Sequence, residues 1–223
     1  MPPAPSPPPS RAAVLPLVGG APAFDLTNTA SGRGGARALD HLRDPEHVVL
    51  WARHAGILTD AGARSLRRAM ARPRLAAELL ARTRALRDLV YGIGAALAAG
   101  KAPRPAQLDR LTRILARALA QARLAPSGAG FAWRWDPARA PVAAVVGPIA
   151  LSAVDLVTQA APARIKQCAG EHCGWLFLDA SKNNRRRWCE MDVCGNRAKQ
   201  KRLRNRRRRT EDAGASLRAP IAH

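Results

Sequence analysis

Four cysteines, Cys168, Cys173, Cys189 and Cys194, are the only ones in a chain of 223 residues, and all fall within 27 residues. Their spacing is C-x4-C, then fifteen residues, then C-x4-C. Two thiol pairs on two turns, joined by the intervening segment, suit a tetrahedral thiolate shell. Zn²⁺ favours such a shell because it is borderline-soft and has no d-electron preference. Four protein ligands leave no open position, so one Zn²⁺ held in this way is structural, not catalytic. Gly174 and Gly195 directly follow the second cysteine of each pair. Glycine there permits a tight turn with N–H groups aimed at sulfur. His172, inside the first pair, is an alternative ligand, an exposed turn residue or a phosphate contact. Trp175, Phe177 and Trp188 supply the module's own small core. So little apolar surface is not stable alone, and zinc binding would contribute on the order of 10–16 kcal/mol to its folding. Two disulfides are the competing reading. They need an oxidising compartment, and the apolar stretch after Arg11 is a poor secretory signal, because Pro16 interrupts it and one arginine is a weak leading charge.

The second chemistry is positive charge. The chain carries 37 Lys+Arg against 16 Asp+Glu, a net +21, with 32 of the basic residues arginine. Arginine and alanine richness together follow from GC-rich codons, so position matters more than the total. Residues 164–209 hold 15 basic and 4 acidic side chains, a charge density about four times that of the remainder. After Cys194 no helix breaker occurs until Gly214, and Asn196 is a good N-cap. A helix to about Arg209 would place Arg197, Lys201, Arg204 and Arg208 on one face and Arg202, Asn205 and Arg209 on the next. Lys182, Arg185, Arg186 and Arg187 form a second basic cluster between the cysteine pairs. Together with Lys199 and Arg206, these residues are the candidate contacts to nucleic acid, with double-stranded DNA the expected partner. Most would meet phosphate. Arg197, Lys201, Asn205 and Arg186 are the candidates for base edges. Competing readings are a nucleic-acid binder without sequence choice, on RNA or DNA, and a finger that docks on another protein. No catalytic motif is present, and an enzyme is not expected.

The rest of the chain must position these residues. Residues 1–21 begin with a Pro-rich run and are expected to be disordered. Ala23–Thr29 alternates Phe24 and Leu26 with polar neighbours, as a strand or a tight turn into the core would. Asp44-Pro45-Glu46 opens a helix by capping. Leu75, Leu79, Leu86, Leu89, Val90, Ile93 and Leu97 recur with a period of 3.6, predicting a long amphipathic helix over 74–99 with Arg82, Arg84, Arg87 and Asp88 on its wet face. A second helix over 105–123 follows. Phe131, Trp133 and Trp135 alternate as in a half-buried strand. Gly147-Pro148 is read as the start of a helix running to Gln159. The expected fold is mostly α: a helical domain over 22–160 with a small β element, a four-cysteine zinc finger with its basic helix over 164–210, and a disordered tail over 211–223. No run is long and apolar enough to span a membrane. The three histidines of the helical domain, His41, His47 and His54, match no metal motif and read as structural or exposed.

Cys194-Gly195-Asn196-Arg197 carries a resemblance. Together with Phe177, Asp179, Ser181, Lys182 and Asn183 and the segment Arg186–Cys189, it resembles the CGNR zinc finger, and Asp25-Leu26-Thr27-Asn28-Thr29 resembles the D-x-x-N-T opening of the ABATE-type helical domain that precedes such fingers. The resemblance implies a bacterial, zinc-dependent, stress-associated transcriptional regulator. It would be cytoplasmic and associated with the nucleoid, with a homodimer and a small-molecule effector on the helical domain as further expectations.

Overall fold

A computed structural model describes residues 9–33 and 38–216; the expected disordered ends at 1–8 and 217–223 lie outside the described residues. The first element, α1 (Pro22–Thr27), is a helix and not a strand. Pro22 sits in its first turn, and the amides of Phe24 and Asp25 both reach back to the Ala21 carbonyl. Enclosure on several sides explains why Phe24 and Leu26 are both buried on so short a helix. Two short strands follow, β1 (Ala30–Ser31) and β2 (Leu39–Asp40), paired antiparallel. In α2 (Pro45–His54) the cap is as expected: the Asp44 side chain accepts from the His47 amide. Next come α3 (Asp60–Ala69), the 26-residue α4 (Pro73–Ala98) and α5 (Pro105–Leu119). An antiparallel hairpin, β3 (Arg123–Ser127) and β4 (Gly130–Arg134), leads to α6 (Pro141–Gln159). A second antiparallel hairpin, β5 (Ile165–Gln167) and β6 (Leu176–Leu178), begins the finger, and α7 (Asn196–Ser216) ends it.

Trp51, Phe24, Leu26, Leu79, Leu86 and Ile149 are among the largest side chains of one continuous core. That core does not stop at the finger. Ile165 and Leu176, on β5 and β6, belong to it as well. Gly94 on α4 makes room for this packing: a Cβ there would lie 2.7 Å from Leu176 Cδ1 and 2.8 Å from Phe24 Cε1.

Four further features depart from the sequence reading. Residues 9–21 are packed, not disordered: Ala12 and Leu15 are buried. Their backbone is pinned by two histidines, with Arg11 N–H donating to His41 Nδ1 at 3.2 Å and His54 Nε2 2.7 Å from the Leu15 carbonyl. Arg87 does not face water. It is buried and forms a bidentate pair with Asp40, at 2.7 and 2.8 Å. Burial pushes the Asp40 carboxyl up, but the hydrogen bonds and charge of Arg87 outweigh it and hold Asp40 below its ordinary value. The β3–β4 hairpin is not half-buried. Phe131 is 76% and Trp133 38% exposed, and only Trp135 reaches the body, donating from Nε1 to the Ala118 carbonyl at 2.8 Å. Finally, α6 starts at Pro141, and Pro148 lies inside it. Gly147 is there for contact, since a Cβ would meet the Trp135 ring at 2.5 Å.

Candidate metal centre and basic helix

The two cysteine pairs arrive on different supports. Cys168 follows β5, and its amide donates to the Trp175 carbonyl at 2.8 Å, which closes the first turn. Cys173 stands at the far side of that turn, where His172 and Gly174 both take positive φ, 63° and 72°. Gly174 therefore serves as the turn residue that the spacing predicts. Cys194 lies in a π-helical turn, Met191–Gly195, that runs directly into α7. Gly195 plays a different part from the one expected: its φ is not positive, and what it provides is space, because a Cβ there would meet Met191 Sδ at 2.3 Å. The Trp175 amide, directly after Gly174, does point at Cys173 as expected, and two further amides also reach sulfur. They are those of Gly170, at 3.4 Å, and Cys189, at 3.3 Å, and both aim at Cys168 Sγ.

All four Sγ atoms lie within 4.8 Å of one another, and none is in a disulfide. Cys173 and Cys189 are 3.6 Å apart, and Cys189 and Cys194 are 3.7 Å apart. A tetrahedron with Zn–S bonds of about 2.3 Å has S···S edges of about 3.8 Å, so the donor set fits one zinc ion. The protonation pattern agrees. Hydrogen bonds from Cys173 and Cys189 push the Cys168 thiol down to about 2. Its hydrogen bond and charge in turn push Cys173 up to about 12, and Cys189 is pushed up as well. Burial, followed by the charge on Cys168, raises Cys194. The cluster by itself favours a single thiolate; a divalent cation is what lets all four deprotonate. His172 is exposed and stands outside this cluster.

Phe177 is fully buried beside the cysteines, with Trp175, Trp188 and, from the N-terminal segment, Val18. Asp179 is fully buried and organises the loop between the cysteine pairs. Its carboxylate accepts from Lys166 Nζ at 2.6 Å and from the amides of Ser181 and Arg186 at 2.9 Å each. Burial alone would raise its pKa, but these donors hold it far below the carboxylate range. The Lys166–Asp179 pair ties β5 to the residue just after β6 and had no signal in the spacing of the motif.

The basic residues divide into three groups. Arg186 is a structural residue and is not available to a base edge. It stacks over Phe177, with the guanidinium carbon 4.3 Å from the ring centroid, and donates to the carbonyls of Val18, Trp188 and Cys189. A second group, Arg187, Arg197, Lys201, Arg202, Arg204 and Asn205, lines one groove of about 1070 Å³ between α7, the finger and the N-terminal segment. Lys201 is paired there with Glu171 at 2.6 Å, and its hydrogen bond holds the Glu171 carboxyl below the ordinary range. Both partners are exposed, so the pair holds little energy and yields readily to a phosphate. The third group, Lys182, Arg185, Lys199 and Arg206, is exposed outside the groove. The side chain of Arg208 lies outside the described part of the structure. The helix itself continues past Arg209 to Ser216, through part of the expected disordered tail.

Asp25 and Asn28 are both engaged with backbone groups. Asn28 is buried and grips the finger: its Nδ2 donates to the Leu176 carbonyl at 2.9 Å, and its Oδ1 accepts from the Leu176 amide at 3.0 Å. Asp25 accepts from the Gly19 amide, and the Gly19 carbonyl accepts from the Leu178 amide, both at 2.8 Å.

Residues 20–160 match the ABATE family, described as "Putative stress-induced transcription regulator", and residues 164–207 match the CGNR zinc finger. No curated protein matches the chain. The first match covers well over half of the chain, which belongs to the ABATE family and carries its CGNR finger directly after that domain. Among the described residues, no helix is long and apolar enough to cross a membrane.

Proposed function

We propose that this member of the ABATE family is a non-enzymatic, DNA-binding transcriptional regulator that acts in the bacterial cytoplasm at the nucleoid. Zinc fixes the finger, and the finger aims α7 at duplex DNA. One observation carries the reading. The turn that holds Cys194 continues without interruption into a helix whose first fourteen residues, 196–209, contain nine basic residues and no acidic one. At about 1.5 Å per residue its 21 residues span about 31 Å, longer than the major groove is wide.

The electrostatics favour a polyanion. Leu203 is the only large apolar residue of this stretch and is 42% exposed, so packing on the protein contributes little to holding the helix. Phosphates along its length supply the missing partner. Arg197, Lys201 and Asn205 are the candidates for base edges, and the remaining arginines position the helix. In this reading the zinc has no chemical role, because four thiols complete its shell. The helical domain serves as scaffold, sensor or dimerisation unit.

The test is selection of the zinc-loaded chain against random-sequence duplex DNA at near-physiological salt, with RNA as competitor. An enriched motif that survives RNA competition is expected, and a palindromic motif would mark a homodimer. Binding without enrichment, abolished by moderate salt, would mean that α7 reads only phosphate.

A further inference from the structure

A second cavity lies in the helical domain, and none of its lining residues belongs to the finger or to α7. It measures about 570 Å³, within the size range of small-molecule sites. Its floor is apolar: Leu75 from α4, Ile114 from α5, and Val142 and Val146 from α6. Its rim is basic. Arg110, Arg113 and Arg117 recur at three- and four-residue spacing, so they stand on one stripe of α5. Arg139, two residues before α6, faces them. The guanidinium groups of these four have no hydrogen-bond or ion-pair partner among the described residues. Arg82, the fifth arginine, is paired with Glu78 at 2.8 Å, and Glu78 is the only acid in the lining. The N-terminus of α6 opens into the same space. Its N-cap is Ala140, whose side chain has no oxygen to offer the first-turn amides. The positive end of the helix dipole therefore adds to the four charges.

Each feature alone has an ordinary explanation. An arginine-rich surface follows from composition, and small cavities form wherever helices diverge. Their coincidence is what points to a ligand. Four cations without protein partners among the described residues and a helix N-terminus stand around an apolar floor, and a molecule that joins an anionic head to an apolar body would meet both. We infer that this cavity binds a small organic anion, with a carboxylate or phosphate head among Arg110, Arg113, Arg117 and Arg139 and an apolar body on Leu75, Ile114, Val142 and Val146. The site stands whether or not α7 binds DNA. It lies at the root of the β3–β4 hairpin, since Gln121 and Arg139 both line it and the hairpin spans the residues between them.

Four matched probes test the site by isothermal titration into the full zinc-loaded chain: 2-naphthoate, 1-naphthyl phosphate, inorganic phosphate and 2-naphthol. The first two carry head and body together, the third has the head alone and the fourth the body alone. Naphthoate or naphthyl phosphate should bind at least about tenfold more tightly than either partial probe, and the better of the two identifies the head group. In Arg113→Gln/Arg117→Gln that binding should weaken about tenfold or more, the loss expected for charge-assisted hydrogen bonds. The control Arg64→Gln/Arg68→Gln removes the same charge from exposed positions on α3, away from the cavity, and should bind as the parent does. Equal losses in the two double variants would reduce the effect to net charge and overturn the site. Inorganic phosphate binding as tightly as the naphthyl compounds would overturn the role of the apolar floor. No binding of any probe would overturn the proposal outright. Both double variants change exposed side chains only, so thermal melts of the free proteins should coincide and exclude misfolding as the cause.

Discussion

Replacing Asn28 by alanine should loosen the finger from the helical domain. The Asn28 side chain makes two hydrogen bonds to one residue, Leu176, which is fully buried on β6. Asn28 itself is only 2% exposed, so water does not replace the lost amide. Each buried backbone group left without a partner costs about 1–3 kcal/mol, and two such groups place the loss at about 4 kcal/mol. A chain of this size loses about 2–4 °C per kcal/mol, so Tm should fall by about 10 °C. Ile165 and Leu176 share the core of the helices, and the parent should therefore lose helix and zinc in one transition. In Asn28→Ala, zinc release to a chromophoric chelator should precede the loss of helical circular dichroism. Asn28→Asp keeps an acceptor for the Leu176 amide but offers no donor to its carbonyl, and should be at least as damaging. A variant within about 1 kcal/mol of the parent, still melting in one step, would refute the reasoning.

Cys189→Ser should abolish stoichiometric zinc, measured by metal analysis of the purified protein, while the helical signal of 22–160 persists; retained zinc would mean a different ligand set. Deleting Arg206–Arg209 should flatten the salt dependence of duplex binding by about one unit of log–log slope for each phosphate contact removed, read by fluorescence anisotropy. Asp40→Asn leaves Arg87 buried without its bidentate partner, and should cost about 3 kcal/mol in urea denaturation, the lower end for a broken buried pair because Asp40 is one-third exposed. The folded-state pKa of Asp40 is depressed. Its contribution is thus complete above the ordinary carboxylate pKa of about 3.9 and is lost as pH falls below that toward the depressed value. The gap between parent and variant should therefore close in acid, and parallel curves would contradict the pair.

Much of the site was legible because its signals are local. Four cysteines in two turns, the positive-φ Gly174 and the Asp44 cap each depend on residues a few positions apart. Long-range partners were not legible. Arg87 sits at a position that helical periodicity assigns to solvent, and its partner Asp40 is 47 residues away. Arg186 reads as one more arginine of a basic loop, yet Phe177 and three carbonyls claim it. Residues 9–21 are too short for a readable periodicity, and long-range partners order them: the pockets that receive Ala12 and Leu15 and the bonds to His41 and His54. Alternation misled twice. In α1 both alternating residues are buried because the helix is enclosed, and in β4 the alternating aromatics Phe131 and Trp133 meet no second layer. The finger's sharing of the main core was hidden for a different reason: Ile165 and Leu176 flank the cysteines, where apolar residues are read as belonging to the finger.

The central claim is that zinc, through the finger, makes α7 a DNA-binding element. Titration of one fluorescent duplex with the zinc-loaded chain, and with the same chain held metal-free by a chelator, tests it at several salt concentrations. The account predicts at least about tenfold weaker binding without zinc at near-physiological salt, restored when zinc is returned. Equal affinity and equal salt dependence in the two forms would show that the basic segment binds as an independent charged helix, and would contradict it.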